Sequence, residues 1–246
     1  MNFRKVAMLA TVLAFASFGW ASSTSQSNAV SHVTGNGSGV VPPTVCGIAN
    51  QLYCQEFDGT GNAYSSQNDT NGLGNFATVY DNFKLGSSNT VDSIHFEGEY
   101  FNPPNQGAIT GWTVAFYADA AGQPGSLLQT THISGTGNET FDGTFGGFPA
   151  YTYTINGLGF AATGGTQYWV SVVPDLGFPP QWGWSSGTGG DGISYQDFFG
   201  ARSQLAADMA FALDGTGQVG VPEPGTLVML GTGVIGLAGV IRRKLC

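Results

Sequence analysis

Short runs in which apolar and polar residues alternate recur through the middle of this 246-residue chain. Residues 111–119 alternate most regularly, with Trp112, Val114 and Phe116 on one side. Because successive side chains of a strand point to opposite faces, this pattern predicts half-buried antiparallel strands. The same alternation occurs at residues 91–101, 150–156, 166–174 and 209–213. Less regular runs predict further strands at residues 76–85, 126–133 and 183–198.

The pattern predicts an all-β fold, because no comparable window outside the two termini has a helical stripe. About eight to ten short strands without intervening helices favour an antiparallel β-sandwich of jelly-roll type. An N-terminal signal helix and a C-terminal hydrophobic transmembrane helix are expected beside it. The predicted segments are a signal peptide at 1–21, a linker or irregular arm at 22–70, the β-sandwich domain at 71–215, and a linker with a hydrophobic tail at 216–246.

The N-terminus has the three parts of a secretory signal peptide. Arg4 and Lys5 precede an apolar run at residues 6–18, and Gly19-Trp20-Ala21 follows it. A charged start, a short apolar run and small residues at its end predict cleavage after Ala21. An uncleaved N-terminal anchor is the alternative.

Positive charge is concentrated at the two ends of the chain, whose formal net charge is −9. Between the terminal segments, only Lys84 and Arg202 are basic. A nucleic acid backbone needs cations to replace its counterions, so we predict no nucleic acid binding. An anionic surface is compatible with bound cations, with neutral polysaccharide or simply with solubility.

The last 26 residues combine a stiff turn, an apolar run and a basic end. Pro222, Glu223 and Pro224 form the turn, because each proline ring fixes φ and disfavours helix in the residue before it. Residues 226–241 carry no charge, and Arg242, Arg243 and Lys244 follow. The order predicts a transmembrane helix whose basic end stays cytoplasmic. An ordinary membrane anchor and a core helix are the alternatives, but a core helix would show a polar face.

This tail resembles the PEP-CTERM protein-sorting signal, which a membrane-embedded exosortase recognises in Gram-negative bacteria. The resemblance implies that Pro222, Glu223 and Pro224 are the recognition motif and that residues 242–244 are the stop-transfer cluster. It also implies export through the inner membrane, transient anchoring there, and a final location at the cell surface or in the extracellular matrix. The chain has Gly225 where the family usually has Ser, and Leu245-Cys246 extends past the basic cluster.

The middle of the chain is similar to the non-catalytic sandwich domains often found ahead of such tails. The similarity is carried by DNF at residues 81–83, GWTVAFYAD at 111–119, GQPG at 122–125 and YWVSV at 168–172. It implies no active site, and we predict neither catalytic residues nor a catalytic cofactor.

Cys46 and Cys54 lie eight positions apart in the part predicted to be exported. An oxidising compartment favours a local disulfide over free thiols. No other Cys or His accompanies the pair, so a metal site is not expected there.

Acidic residues give two further candidates. Glu97 and Glu99 share a strand face with His95 and could form a catalytic carboxylate pair, but the expected arrangement is a solvated face on which both stay ionised. Asp58 and Asp69 begin loops rich in Asn and Gly, which are weak candidates for Ca²⁺ and are better explained as turns.

Aromatic residues near the C-terminal part of the sandwich suggest a ligand surface. Trp182, Trp184 and Tyr195 flank a glycine-rich loop and are candidates for stacking on sugar rings. The two Trp residues are two apart, so burial in one strand is the alternative. The sequence therefore favours a non-catalytic envelope or matrix protein. The alternative function is a carbohydrate-binding module of the exopolysaccharide matrix, assisted by calcium.

Overall fold

The computed structural model describes residues 45–215, which form fifteen strands and no helix. The strands are β1 Gln51–Phe57, β2 Ala63–Ser65, β3 Gln67–Asp69, β4 Gly74–Lys84, β5 Asn89–Phe101, β6 Gly111–Asp119, β7 Pro124–Ser134, β8 Thr140–Phe145, β9 Phe148–Ala162, β10 Gln167–Leu176, β11 Gln181–Thr188, β12 Ser194–Phe198, β13 Ala201–Leu205, β14 Asp208–Met209 and β15 Phe211–Gly215. None of these elements is a helix with the length and hydropathy needed to cross a bilayer. The predicted terminal segments, with their signal and transmembrane helices, lie outside the described residues.

The strands form two sheets. The eight-stranded sheet has the order β14-β11-β1-β15-β5-β9-β8, with β2 paired to β11. The seven-stranded sheet has the order β13-β12-β4-β3-β10-β6-β7. Every pairing is antiparallel except that of β3 with β10. The chain changes sheet eight times, after β2, β4, β5, β7, β9, β10, β11 and β13. This confirms the predicted all-β, two-sheet body, with more strands than the sequence indicated.

One hydrophobic core joins the inner faces of the two sheets, which makes the body a β-sandwich. Val79 and Phe83 of β4 and Trp112 of β6 face Phe96 of β5 and Trp184 of β11 in this core. The phenyl ring of Phe96 stacks on the ring of Tyr153 and meets the indoles of Trp112 and Trp182 edge to face. The alternation that predicted β5, β6 and β10 therefore identifies their inner faces correctly.

The folded body begins before residue 71, which corrects the predicted boundary of the irregular arm at 22–70. Strands β1 and β2 belong to the eight-stranded sheet, and β3 belongs to the seven-stranded sheet. Alternation failed to reveal β1 because Gln55 occupies a buried inward position, at 1% exposure. With its amide in the orientation that satisfies both atoms, Gln55 donates to Asp81 Oδ2 at 2.8 Å and to the Met209 carbonyl at 2.7 Å.

The DNF motif, at residues 81–83 of β4, links this strand to β14 of the other sheet by a buried hydrogen bond. Asp81 is fully buried and accepts hydrogen bonds from the backbone amides of Asn82 and Met209, at 2.6 and 2.5 Å. Burial raises the pKa of the Asp81 carboxyl well above its usual range, against these amide hydrogen bonds. Asn82 donates to Asp191, and Phe83 enters the core. The motif that carries the resemblance thus has a structural role here.

Cys46 and Cys54 form a disulfide, with their Cα atoms 5.6 Å apart. The bridge ties residue 46 to β1, beside a small apolar cluster that contains Val45 and Phe57. Glu56 is close by, but sulfurs bonded to each other are not thiolate ligands, so this group does not form a metal site.

Removing this disulfide will lower the free energy of unfolding by about 2–3 kcal/mol, because the bridge restricts a short loop of the unfolded chain. The measurement is thermal unfolding of the Cys46→Ser/Cys54→Ser variant against the oxidised wild type. As a control, the unfolding midpoint of the same variant is measured with and without dithiothreitol. The variant retains Cys246 but lacks the disulfide, so its midpoint should not change. Equal midpoints for the variant and the oxidised wild type would contradict the prediction.

Candidate functional site

A shallow groove crosses the outer face of the seven-stranded sheet, where the central strands β3, β4, β10 and β6 lie side by side. We call it the sheet-face groove. It encloses about 210 Å³ and is lined by Asn68, Asn75, Thr78, Tyr80, Thr113, Tyr117, Ser171 and Val173. On β4, β6 and β10, six of these residues (Thr78, Tyr80, Thr113, Tyr117, Ser171 and Val173) alternate with core residues, so the pleat itself places them outward. Asn75 joins them where the register of β3 with β4 shifts. The volume is below the roughly 300–1,000 Å³ of drug-sized pockets.

Two tyrosine rings form the aromatic part of the groove. The rings of Tyr80 and Tyr117 meet edge to face, with centroids 5.2 Å apart. The Tyr117 hydroxyl lies 3.4 Å from Ser171 Oγ, across the pairing of β6 with β10. Burial raises the pKa of both phenols, so both stay protonated at neutral pH and keep a hydroxyl donor.

An ion pair fixes Tyr80 from the side of β12 and β13. The Tyr80 hydroxyl donates to Asp197 Oδ2 at 2.9 Å, and Arg202 donates to both oxygens of the same carboxylate, at 2.7 and 2.8 Å. The Arg202 guanidinium also lies 5.0 Å from the centre of the Tyr80 ring. The Arg202 hydrogen bonds keep the pKa of Asp197 below its usual range. The ring is therefore held in place before any ligand arrives.

The lining of the sheet-face groove is polar but uncharged. Its eight residues supply hydroxyls, amides and one wholly apolar side chain, that of Val173, and none of them carries a charge. Hydroxyl and amide groups both donate and accept hydrogen bonds, which suits a neutral ligand rich in hydroxyls. Phosphate or carboxylate ligands would instead require basic residues in the lining.

The predicted stacking residues do not form a surface site. Trp182 and Trp184 are fully buried on the inner face of β11, so the alternative of core burial is correct for both. The Trp182 indole donates to the Tyr153 hydroxyl at 3.2 Å, and the Trp184 indole donates to the Ala210 carbonyl at 2.9 Å. Tyr195 faces outward on β12 and packs edge to face on Trp169, but only 8% of it is exposed.

Glu97 and Glu99 are buried, which corrects the expectation of a solvated face. They point to the outer face of the eight-stranded sheet, yet their exposures are 0% and 1%. A further layer covers this face: Phe57 packs edge to face on Phe145 of β8 at 4.9 Å, and the backbone at Gly61 lies directly against the β8–β9 turn. Alternation on one sheet cannot reveal such a cover, because the covering residues come from distant parts of the chain.

Burial changes the protonation of this acidic pair. The pKa of Glu97 is raised to about 10, mainly by burial and then by the charge of Asp142. Burial and the charge of Asp58 raise the pKa of Glu99 to about 8. The expectation that both residues stay ionised is therefore wrong for the folded protein at neutral pH. Neither residue lines the sheet-face groove.

The acidic loops act as turns. Asp58 accepts hydrogen bonds from the backbone and hydroxyl of Thr60 and from the Ser186 hydroxyl, at 2.6–2.8 Å. Asp69 accepts from the backbone amides of Asn71, Leu73 and Phe178. Burial alone would raise the pKa of Asp69, but these three amides lower it. Both carboxylates thus use their oxygens to hold loop backbone or a neighbouring strand.

His95 joins three strands of the eight-stranded sheet. One ring nitrogen lies 3.0 Å from Asp214 Oδ2 on β15, and the other lies 3.0 Å from Thr154 Oγ1 on β9. The sequence pointed to Glu97 and Glu99 as neighbours of His95 but not to these two partners, because cross-strand pairing is not encoded locally.

The sheet-face groove was not predicted. Six of its residues occupy the outward positions of runs that the sequence did assign to strands, for example Thr78 and Tyr80 in 76–85 and Thr113 and Tyr117 in 111–119, whereas Asn68 and Asn75 lie outside those runs. That alternation shows that these residues face out. It does not show that β3, β4, β10 and β6 are neighbours, so the residues could not be assembled into one site.

Comparison with protein-family models identifies the C-terminal end of the chain. Residues 220–244 match the PEP-CTERM protein-sorting motif. This confirms the assignment of the tail, which contains Pro222, Glu223, Pro224 and the basic cluster Arg242, Arg243 and Lys244. Searches of curated proteins and of solved structures find no match to the chain. The chain therefore carries the sorting signal of an exported, exosortase-processed protein, and the signal lies outside the described residues.

Proposed function

We propose that this chain is a non-catalytic protein of the cell surface or extracellular matrix whose jelly-roll-like sandwich binds neutral polysaccharide in the sheet-face groove. One observation carries the proposal: eight uncharged residues, rich in hydroxyls and amides and including two tyrosines, line one preorganised groove. Sugars offer many hydroxyls and an apolar ring face. Amides and hydroxyls match the first, and the half-buried ring of Tyr117 matches the second, while the buried ring of Tyr80 supports it edge to face.

The sorting signal supports this setting. It directs the protein to an exosortase and to the outside of the inner membrane, where exopolysaccharide is available. The described body has only Lys84 and Arg202 as lysine or arginine, and Arg202 is paired with Asp197, which disfavours polyanionic ligands. Neutral glycan is therefore the ligand class that fits both the location and the groove.

Groove binding is tested with the purified full-length protein on arrays of neutral glycans and by calorimetry with exopolysaccharide fractions. Asn75→Ala/Thr113→Ala removes two hydrogen-bonding groups from opposite sides of the groove and should weaken binding about 5- to 150-fold, since each lost hydrogen bond contributes about 0.5–1.5 kcal/mol. The matched control is Ser134→Ala/Thr136→Ala, in a second polar groove at the β7–β8 connection.

The two variants separate the outcomes. Weaker glycan binding by Asn75→Ala/Thr113→Ala, together with unchanged binding by Ser134→Ala/Thr136→Ala, would support glycan binding in the sheet-face groove. Equal loss in both variants, or binding of no neutral glycan by the wild type, would refute glycan binding there.

We also propose that the tail anchors the protein transiently and is then removed. Replacing Pro222 and Pro224 by Ala should abolish processing, because the stiff turn would be lost, and the protein should accumulate in the inner membrane. Intact-mass analysis of envelope and medium fractions measures this result. A full-length wild-type protein in the medium, still ending in Leu245-Cys246, would contradict the proposal.

A further inference from the structure

An exposed aromatic ring lies beside the sheet-face groove, in the turn that joins β12 to β13. It belongs to Phe199, which at 63% is the most exposed large apolar side chain of residues 45–215. An apolar ring stabilises a fold by leaving water, so a ring that stays largely in solvent contributes little to stability. A single exposed apolar side chain would need no special explanation, but the backbone of Phe199 does.

Phe199 has a strained backbone conformation. The turn consists of Phe199 and Gly200, whose φ angles are 48° and 80°. Hairpin turns with two positive φ angles favour Asn-Gly, because asparagine enters the left-handed region far more readily than a residue as bulky as phenylalanine. The chain therefore keeps a phenylalanine where it costs stability and where most of its ring is exposed. Such a conflict between local preference and fold indicates a functional constraint.

The pairing of β12 with β4 places this ring on the groove side of the sheet. Asp197 lies opposite the groove residue Thr78. Two residues further on, the Phe199 amide donates to the Phe76 carbonyl at 2.7 Å. The Phe199 ring stacks on the buried Phe76 ring, with centroids 5.4 Å apart and planes 30° apart. One face of the Phe199 ring is thus packed, and the opposite face is open to solvent as a flat apolar surface.

This ring and the sheet-face groove adjoin each other. Asn75, which lines the groove, directly precedes Phe76 in β4. Further along the groove, Tyr117 meets Tyr80 edge to face. Tyr80 and Phe76 are four residues apart in β4, or about 10–13 Å along the strand. The rings of Tyr117 and Phe199 are therefore too far apart for a single sugar to contact both.

We propose that the open face of Phe199 is a sugar-stacking subsite at the end of the sheet-face groove, so that the groove takes a stretch of several sugars from a neutral polysaccharide. This inference rests on the proposed glycan binding in the groove. It adds an exposed ring for the apolar face of a sugar, which the groove itself offers only in the half-buried Tyr117. The exposed amide of Asn75 lies between the two rings and can bind sugar hydroxyls.

A protein partner fits this surface less well than a glycan. One aromatic side chain offers at most about 150–250 Å², far below the roughly 800 Å² that each partner buries in a stable protein interface. A sugar ring is comparable in size to the phenyl ring, and the neighbouring groove supplies the polar contacts that a chain of sugars needs.

The test is calorimetric titration of the purified full-length protein with neutral glucan and exopolysaccharide oligosaccharides, from disaccharides to octasaccharides. Wild-type affinity should increase with oligosaccharide length. Phe199→Asn should weaken the binding of octasaccharides by about 2- to 12-fold, the range of one aromatic stacking contact, and leave disaccharide binding unchanged. Phe199→Tyr keeps the ring and should bind like the wild type.

Two controls separate binding from a structural role. Phe199→Asn should unfold within about 3 °C of the wild type, because asparagine relieves the strained turn and offsets the lost packing on Phe76. Phe141→Asn removes a ring of similar exposure, 59%, from β8 of the other sheet and should not change glycan affinity.

The possible results are distinct. Equal octasaccharide affinity of Phe199→Asn and the wild type would overturn the subsite and leave glycan binding in the groove intact. Equal loss for disaccharides and octasaccharides would show that the variant disturbs the groove itself, which would also overturn a separate subsite. A wild type that binds no neutral oligosaccharide would refute both the groove and the subsite. A wild-type dimer that Phe199→Asn converts into monomers would make the ring an interface between copies and overturn the proposal.

Discussion

Replacing Gly98 by Ala will lower the free energy of unfolding by about 3 kcal/mol or more, although it adds only one methyl group. Gly98 is the inward position of β5 over which the Trp182 side chain passes, and a Cβ there would overlap the indole ring. The indole cannot move aside, because it is fully buried against Trp112 and Phe96 and donates to Tyr153. Urea denaturation of the purified variant against the wild type measures the loss.

Two controls distinguish this overlap from a general intolerance of alanine. Gly86→Ala adds the same methyl group where nothing lies within 4 Å, and it should be neutral or slightly stabilising. In a Trp182→Phe background the smaller ring leaves room, so Gly98→Ala should cost at least about 1 kcal/mol less than in the wild type. An equal cost in both backgrounds would exclude Trp182 as the cause.

In EDTA, the protein will become less stable as the pH rises from 5 to 8. Glu97 and Glu99 have folded-state pKa values of about 10 and about 8, raised from an ordinary 4.5. Between pH 4.5 and 8 the folded protein therefore holds protons that the unfolded chain has released. Each group lowers the free energy of unfolding by at most about 1.4 kcal/mol per pH unit over this range, and the effect of Glu97 continues to pH 10.

Carboxyls with lowered pKa act in the opposite direction at low pH. Asp69, Asp175 and Asp197 stabilise the folded state above their unfolded pKa, and this contribution is lost as the pH falls through their lowered folded values. Stability should therefore be greatest near pH 5. Urea denaturation at a series of pH values in EDTA measures the profile.

Glu97→Gln should flatten this profile and raise the free energy of unfolding at pH 7 by about 2–3 kcal/mol, since an amide of similar shape, unlike the carboxyl, cannot stabilise the unfolded chain by releasing a proton. Asp92→Asn, on the same strand, should leave the profile unchanged. A wild-type stability that is constant or increases between pH 5 and 8 would show that Glu97 and Glu99 are not protonated in the folded protein.

The local sequence pattern was sufficient to predict the all-β fold class and to identify the sorting signal in the tail. Strand β6 has the bounds predicted from alternation, and the inward positions Ile94, Phe96 and Tyr100 of β5 are core residues. The order Pro-Glu-Pro, apolar run and basic cluster is contained in adjacent residues, so it could be identified without any structure. The spacing of Cys46 and Cys54 was likewise local information.

What could not be predicted depends on contacts between distant segments. Alternation assigned Glu97 and Glu99 to an outward face, and they are on that face. Their burial could not be predicted, because Phe57 and Phe145, which cover this face, are distant from β5 in the sequence. The pairing of β4 with β10, which creates the sheet-face groove, joins residues about 90 positions apart, as in Tyr80 with Ser171. The strands β1 to β3 lie mostly in the segment assigned to the irregular arm, and they were not located because they are short or carry a buried Gln55 in place of an apolar residue.

The pairing of β1 with β15 has a consequence for the order of events during export. Gln51 lies opposite Asp214, so the first and last strands of the body are neighbours in the eight-stranded sheet. A chain that crosses the membrane from its N-terminus delivers β1 first and β15 last. The gap between β1 and β5 can close only after residue 215 has emerged, so we expect the sandwich to complete its folding after translocation of the body rather than during it.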